Sequence, residues 1–225
     1  MLFVDKGERG TVLLNWHGTP EEEFTYFAEA FHEVAHKAAV ELSKNPHFGR
    51  IPFEDFKAYP VVFMYRHALE LHMKAVILAG SQMLRPPEVN RETLLKTHSL
   101  DLLSQDVERV FDAYDWGWDL GVPHFETIED FRLAISELAS VDGGSYAFRY
   151  PVDTKGKASL SSHFRFNLFE FCETLDGLLK VLKGATIGAY EEFQAAAEAS
   201  AEARSWENDY EHNEPDYFDR EPSGD

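Results

Sequence analysis

The chain of 225 residues contains a single cysteine, Cys172. One cysteine excludes an intrachain disulfide, which is typical of proteins kept in a reducing compartment. No apolar run reaches the roughly 18 residues that a membrane-spanning helix requires. Residues 1–10 also lack the basic and then apolar order of a secretory signal peptide. We therefore expect a cytoplasmic protein that has no membrane partner.

Positive charge is scarce as well, with 21 Lys and Arg against 40 Asp and Glu, a net charge of −19. Such a balance weakens long-range attraction to nucleic acids and to anionic membranes. A function directed at RNA therefore needs a local basic site, or a partner that supplies one. Apolar side chains are plentiful: 44% of the residues are hydrophobic, including 18 Phe, which is ample for one domain with a real core.

Helical periodicity and capping signals predict an all-α, up-and-down helical bundle. Thr19 with Glu22, and Thr127 with Asp130, have the spacing of capping boxes. Gly184 is expected to stop a helix. The helices are predicted over residues 20–45, 61–79, 99–116, 127–142, 162–182 and 187–203.

We expect two appendages to this bundle. Residues 1–18 have the pattern of a short hairpin, and residues 146–150 look extended. The single domain is predicted to cover residues 1–203, followed by an acidic tail over residues 204–225. The tail interleaves aromatic side chains with acids, so it is either a solvated extension or a segment that docks on a basic groove or on a protein partner.

Residues 65–80 are the most informative part of the chain. They read as one helix closed by Gly80, yet several polar side chains stand among residues that favour burial. Charged groups are seldom buried unless they are paired. This helix therefore either forms a polar network inside the fold or lines a site. The polar residues concerned are Arg66, His67, Glu70, His72 and Lys74.

A family resemblance rests on these residues. The sequence Arg66-His67-Ala68-Leu69-Glu70-Leu71 leads into Lys74 and an apolar segment, and Thr97-His98-Ser99-Leu100 opens the next helix about 18 residues after Gly80. With Phe148-Arg149-Tyr150-Pro151 before a later helix, this resembles the HEPN superfamily over roughly residues 55–183. The resemblance implies a four- or five-helix bundle that is commonly a homodimer. Many members are metal-independent ribonucleases of toxin–antitoxin and phage-defence systems, whereas others bind nucleotides or have no catalysis.

Metal-independent RNA cleavage needs proton transfer and positive charge on the phosphate. The ribonuclease members carry an Arg, a polar residue and then a His a few residues later, usually late in the bundle. Here the resemblance assigns phosphate stabilisation to Arg66 and proton transfer to His72, with no cofactor. His67 and Glu70 become polar supports.

The alternative is a non-catalytic dimeric bundle that binds a protein or a small nucleotide. At 100° per residue, Arg66 and His72 point about 120° apart around the helix. Arg66, Glu70 and Lys74 lie on a closer stripe and have the spacing of an intrahelical ion ladder. Arg149, between aromatic residues, could fold over this helix to reach Glu70, as part of a binding site or as a buried clamp.

A second motif, His32-Glu33-Val34-Ala35-His36, has the His-Glu-x-x-His spacing of zinc hydrolases. In those enzymes two imidazoles on one helical face hold zinc, and the Glu is the base for a zinc-bound water. A third ligand at a familiar spacing is absent, and the flanking pattern is helical. We expect no metal cofactor, and a zinc hydrolase using His32, Glu33 and His36 is the outside alternative.

Overall fold

The computed structural model describes residues 9, 11–12, 14, 18–82, 84, 89–160 and 164–212. It confirms an all-α helical bundle, with helices over 67% of the chain. The described residues contain no strand, only two isolated bridges. The helices are α1 (Pro20–Ser43), α2 (Pro52–Asp55), α3 (Ala58–Gly80), α4 (Arg91–Lys96), α5 (Leu100–Ala113), α6 (Ile128–Asp142) and α7 (Leu168–His212).

Helix starts follow the capping signals in the sequence. Thr19 before α1 and Thr127 before α6 each form a complete capping box. Ser99 caps α5 by accepting a hydrogen bond from the backbone N–H of Leu102. These local hydrogen bonds satisfy backbone donors that the first helical turn leaves free.

Helix α3 lies at the centre of the bundle and packs against α1, α5 and α7. Every residue from 68 to 80 is buried. A helix that is covered on all sides has no solvent face on which to place charged side chains. The polar residues of α3 are therefore held inside the protein, where each of them needs a partner.

Helix α7 is one continuous helix, so the predicted break at Gly184 and the predicted start near residue 162 are both wrong. The side-chain oxygen of Asn167 accepts the N–H groups of Phe169 and Glu170, which sets the start of the helix. A glycine inside a helix costs only about 1 kcal/mol. Burial of Leu182 and Ala189 on either side of Gly184 exceeds that cost.

Residues 146–150 form a turn rather than the predicted extended segment. The N–H groups of Arg149 and Tyr150 both donate to the carbonyl oxygen of Tyr146. The Asp142 carboxylate at the end of α6 accepts the N–H groups of Tyr146 at 2.5 Å and Ala147 at 2.8 Å. Because one buried carboxylate oxygen accepts both of these N–H groups, the chain turns here without needing a neighbouring strand.

Two other predictions fall largely outside the described residues. The predicted N-terminal hairpin over residues 1–18 lies mostly outside the described residues. Of the acidic tail, residues 204–212 continue α7, and residues 213–225 lie outside the described part. No helix in the described ranges is long and apolar enough to cross a membrane.

Two helical glycines provide a matched test of this packing. A Cβ atom on Gly80 would lie 2.3 Å from a methyl carbon of Val110, whereas a Cβ on Gly184 would meet nothing within 4 Å. We expect Gly80→Ala to lower the free energy of unfolding by about 1–3 kcal/mol through overpacking. Gly184→Ala should raise it by about 0.5–1 kcal/mol through helix propensity.

Urea unfolding followed by circular dichroism measures both effects. A destabilising Gly184→Ala variant would contradict a continuous α7. A neutral Gly80→Ala variant would contradict the close approach of α3 to α5.

Candidate functional site

Arg66 is fully buried and joins three helices. Its Nη1 donates to Glu70 Oε2 at 2.7 Å, and its Nη2 donates to the carbonyl oxygen of His98 at 2.7 Å. Its Nε donates to the carbonyl oxygen of Asp142 at 3.3 Å and lies 3.5 Å from Asp142 Oδ2. Arg66 therefore ties α3 to the start of α5 and to the end of α6.

Glu70 uses its second carboxylate oxygen to bring Lys74 and His98 into this ion network. Glu70 Oε1 accepts a hydrogen bond from Lys74 Nζ at 2.9 Å and lies 2.8 Å from His98 Nδ1. Burial alone would raise the pKa of Glu70, but hydrogen bonds from Lys74, Arg66 and His98 lower it to about 2. With Asp142, the network brings the buried basic side chains of Arg66 and Lys74 together with two buried acidic side chains.

The predicted Arg66–Glu70–Lys74 ladder is thus formed, but inside the protein. The side chains of Arg66 and Glu70 are 0% and 2% exposed. Only His98, whose side chain is 61% exposed, brings this network to the surface. All three nitrogens of the Arg66 guanidinium group have partners, so the structure gives this residue an architectural role.

His72 belongs to a different cluster on α3. It is fully buried, and its Nε2 lies 3.4 Å from Glu29 Oε1 on α1. Neither ring nitrogen has a hydrogen-bond partner among the described residues. Burial lowers the pKa of His72 to about 4, although Glu29 acts in the opposite direction. Arg66 and His72 share no partner, so the structure does not assemble them into one site within the chain.

His67 is packed against aromatic rings. Its ring centroid lies 4.5 Å from that of Phe31 and 5.8 Å from that of Phe63. Burial lowers the pKa of this half-buried histidine. These contacts give His67 a packing role at the contact between α1 and α3.

Arg149 is exposed and lies over aromatic rings instead of pairing with Glu70. Its guanidinium carbon is 5.5 Å from the ring centroid of Phe63, 5.1 Å from that of Tyr146 and 5.7 Å from that of Tyr150. Its Nε donates to the carbonyl oxygen of Ser145 at 2.5 Å. The predicted Arg149–Glu70 clamp is therefore wrong, because cation–π contacts hold Arg149 at the surface.

The two motif histidines of α1 converge on an aspartate that sequence analysis missed. His32 Nε2 lies 2.6 Å from Asp176 Oδ1, and His36 Nδ1 lies 2.9 Å from Asp176 Oδ2. Tyr65 donates its hydroxyl to Asp176 Oδ1 at 2.7 Å. The cluster of His32, His36 and Asp176 joins α1 to α7 and is the one group of potential metal ligands in the described ranges.

Glu33, the central residue of the His-Glu-x-x-His motif, is not part of that cluster. It lies on the exposed side of α1 and pairs with Lys37, whose hydrogen bond lowers the pKa of Glu33. The position expected for the base of a zinc hydrolase is thus occupied by a solvated ion pair.

A second candidate site consists of two adjoining cavities of about 490 and 630 Å³. We call them the aromatic cavities, because three phenylalanines line both of them. The first cavity extends along α6 and α7, and the lining of the second includes Arg50 and Arg165. Neither arginine forms an ion pair with another residue in the described ranges. The residues common to both cavities are Val62, Phe148, Phe164 and Phe166.

No protein-family model, no curated protein and no solved structure matches this chain. The HEPN resemblance therefore stays a prediction from short sequence segments. The structure does show what those segments do here: the helix around Arg66 and the Thr97–Leu100 segment meet in the buried ion network, where His98 contacts both Arg66 and Glu70.

We expect Glu70→Gln to lower the free energy of unfolding by about 3–5 kcal/mol, the usual cost of leaving a buried charge without its partner. Urea unfolding at neutral pH measures this loss. The control is Glu33→Gln, which removes the same group from an exposed pair and should leave stability unchanged within error.

A double-mutant cycle tests the corrected position of Arg149. Because Glu70 and Arg149 share no partner, the losses from Glu70→Gln and Arg149→Ala should add to within about 0.5 kcal/mol. A coupling free energy well above about 1 kcal/mol would show that the clamp forms after all.

The lowered pKa of His72 predicts a pH effect on stability. Between about 6.5, the ordinary value, and about 4, the unfolded chain binds a proton that the native protein does not. Stability from this residue is therefore present above pH ~6.5 and is lost as the pH falls towards ~4. We expect His72→Gln to flatten the profile of unfolding free energy over this window.

His47→Gln, at an exposed histidine, is the control and should leave the slope of the profile unchanged. An unchanged slope in His72→Gln would show that His72 titrates in the native protein as it does in the unfolded chain.

Proposed function

We propose that this protein is a non-catalytic helical binding protein of HEPN-like type, and that its ligand is a nucleotide held in the aromatic cavities. The observation that carries the proposal is the pair of adjoining cavities, which share aromatic walls and of which one is also lined by two arginines. Their volumes fall within the roughly 300–1,000 Å³ that is typical of small-molecule sites.

The chemistry of the cavities suits a flat ring that carries a phosphate. Phe164 and Phe166 are 37% and 43% exposed, so a ligand can reach their rings. Stacking of a base on an aromatic ring is worth about 1–3 kcal/mol. The guanidinium group of Arg165 matches the geometry of a phosphate. The net charge of −19 favours a small ligand whose charge is neutralised locally over a long nucleic acid.

Burial of the predicted catalytic pair favours binding over cleavage. A general acid or a phosphate-binding group must reach the substrate. Arg66 and His72 are both 0% exposed, and they lie in separate clusters. The toxin–antitoxin or defence setting and the homodimer are further proposals that rest on the resemblance. A protein partner for the acidic tail is a proposal that rests on the aromatic and acidic composition of the tail. Light scattering of the purified protein tests the homodimer.

Calorimetric titration with a panel of mononucleotides of all four bases tests the proposal. We expect binding to weaken about 10-fold or more in Phe166→Ala, from lost stacking, and similarly in Arg165→Ala. Matched controls outside the cavities are Trp206→Ala and Arg204→Ala, which should bind as the wild type does.

Absence of binding to every nucleotide would contradict the proposal. RNA cleavage by the purified protein, lost in His72→Gln without loss of folding, would instead restore the ribonuclease hypothesis.

A further inference from the structure

Three side chains from two helices offer metal ligands to one point between α1 and α7. His32 and His36 are four residues apart, so both imidazoles lie on the same face of α1. Asp176 on α7 faces them. One potential ligand atom from each residue lies within 4.8 Å of the others. This distance is short enough for a single ion to contact all three after a small adjustment.

The donor set indicates which ions fit. Imidazole suits Zn²⁺, Fe²⁺, Co²⁺, Ni²⁺ and Cu²⁺, whereas Mg²⁺ and Ca²⁺ prefer sites made of oxygen alone. Three protein ligands leave at least one coordination position open for water or substrate. We propose that His32, His36 and Asp176 form a binding site for a divalent transition-metal ion.

The cluster needs little rearrangement to take an ion. Ligand atoms at about 2.0–2.2 Å from a tetrahedral ion are about 3.3 Å apart. The present contacts of 2.6 Å to Asp176 Oδ1 and 2.9 Å to Asp176 Oδ2 are shorter than this spacing, so both imidazoles must move away from the carboxylate to admit an ion. The side chains of His36 and Asp176 are 50% and 29% exposed, which leaves room for this movement and a path for the ion.

A buried tyrosine supports the carboxylate. Tyr65 is fully buried, and its hydroxyl donates to Asp176 Oδ1 at 2.7 Å. This hydrogen bond orients the carboxylate, as second-layer hydrogen bonds do at known metal sites.

The proposed metal site shares two histidines with the zinc-hydrolase motif, but the acidic residue beside them is different. Asp176 takes the place beside the two histidines, while Glu33 pairs with Lys37 on the exposed side of α1. It is also independent of the proposed nucleotide site, because none of the three ligands or Tyr65 lines the aromatic cavities. Either proposal can therefore fail alone.

Cobalt titration of chelator-treated full-length protein tests the site, with visible absorption and calorimetry as readouts. We expect one Co²⁺ per chain, with a d–d absorption band. His36→Ala and Asp176→Asn should each weaken Co²⁺ binding by at least about 10-fold, and Tyr65→Phe should weaken it less. Glu33→Gln and His47→Ala are the matched controls and should bind as the wild type does.

A second readout is thermal: Co²⁺ or Zn²⁺ should raise the melting temperature of the wild type but not that of His36→Ala. Circular dichroism shows whether each variant is folded. If Asp176→Asn is unfolded, the Co²⁺ affinity of His36→Ala alone tests the proposal. No stoichiometric binding, or equal binding in His36→Ala and wild type, would overturn the proposal and leave a hydrogen-bonded His–Asp–His cluster.

Discussion

The buried ion pair of Arg66 and Glu70 determines how the helices of this bundle meet. Arg66 contacts the residue before the N-cap of α5 and the last residue of α6, and Glu70 adds Lys74 and His98. A buried pair of this kind contributes little net stability, but removing either partner is costly. Its main effect is therefore to exclude other registers of α5 and α6 against α3, since any slip would leave a charge unpaired in the core.

The same pair explains why α3 carries so much polar sequence without forming an open active site. Arg66, Glu70 and Lys74 serve the contacts with α5 and α6, whereas Tyr65 and His72 face α1 and α7. The central helix thus distributes its polar groups to two sides. The groups that organise the neighbouring helices are buried. The candidate ligand-binding sites therefore lie beside α3, in the aromatic cavities and in the His32–His36–Asp176 cluster.

Local features of the fold were predictable from the sequence, and long-range ones were not. Capping at Thr19 and Thr127 depends on residues three positions away, so a short motif contains all the information. Gly184 carries a local stop signal that tertiary burial of α7 outweighs. Asp142 precedes two glycines and has a turn signal, but nothing adjacent in the sequence shows that it faces Arg66, 76 residues away.

The candidate metal cluster shows where the same limit applies to function. His32 and His36 are four residues apart, so helical spacing alone places both of them on one face of α1. Ala28 and Ala35 on α1 are both fully buried, and such small side chains let α1 approach α3 closely. The face that carries the two histidines is turned towards α7, where Asp176 lies 140 residues after His36 in the chain. Motif spacing therefore identifies two of the ligands, but only the packing of α1 and α7 on α3 can identify the third.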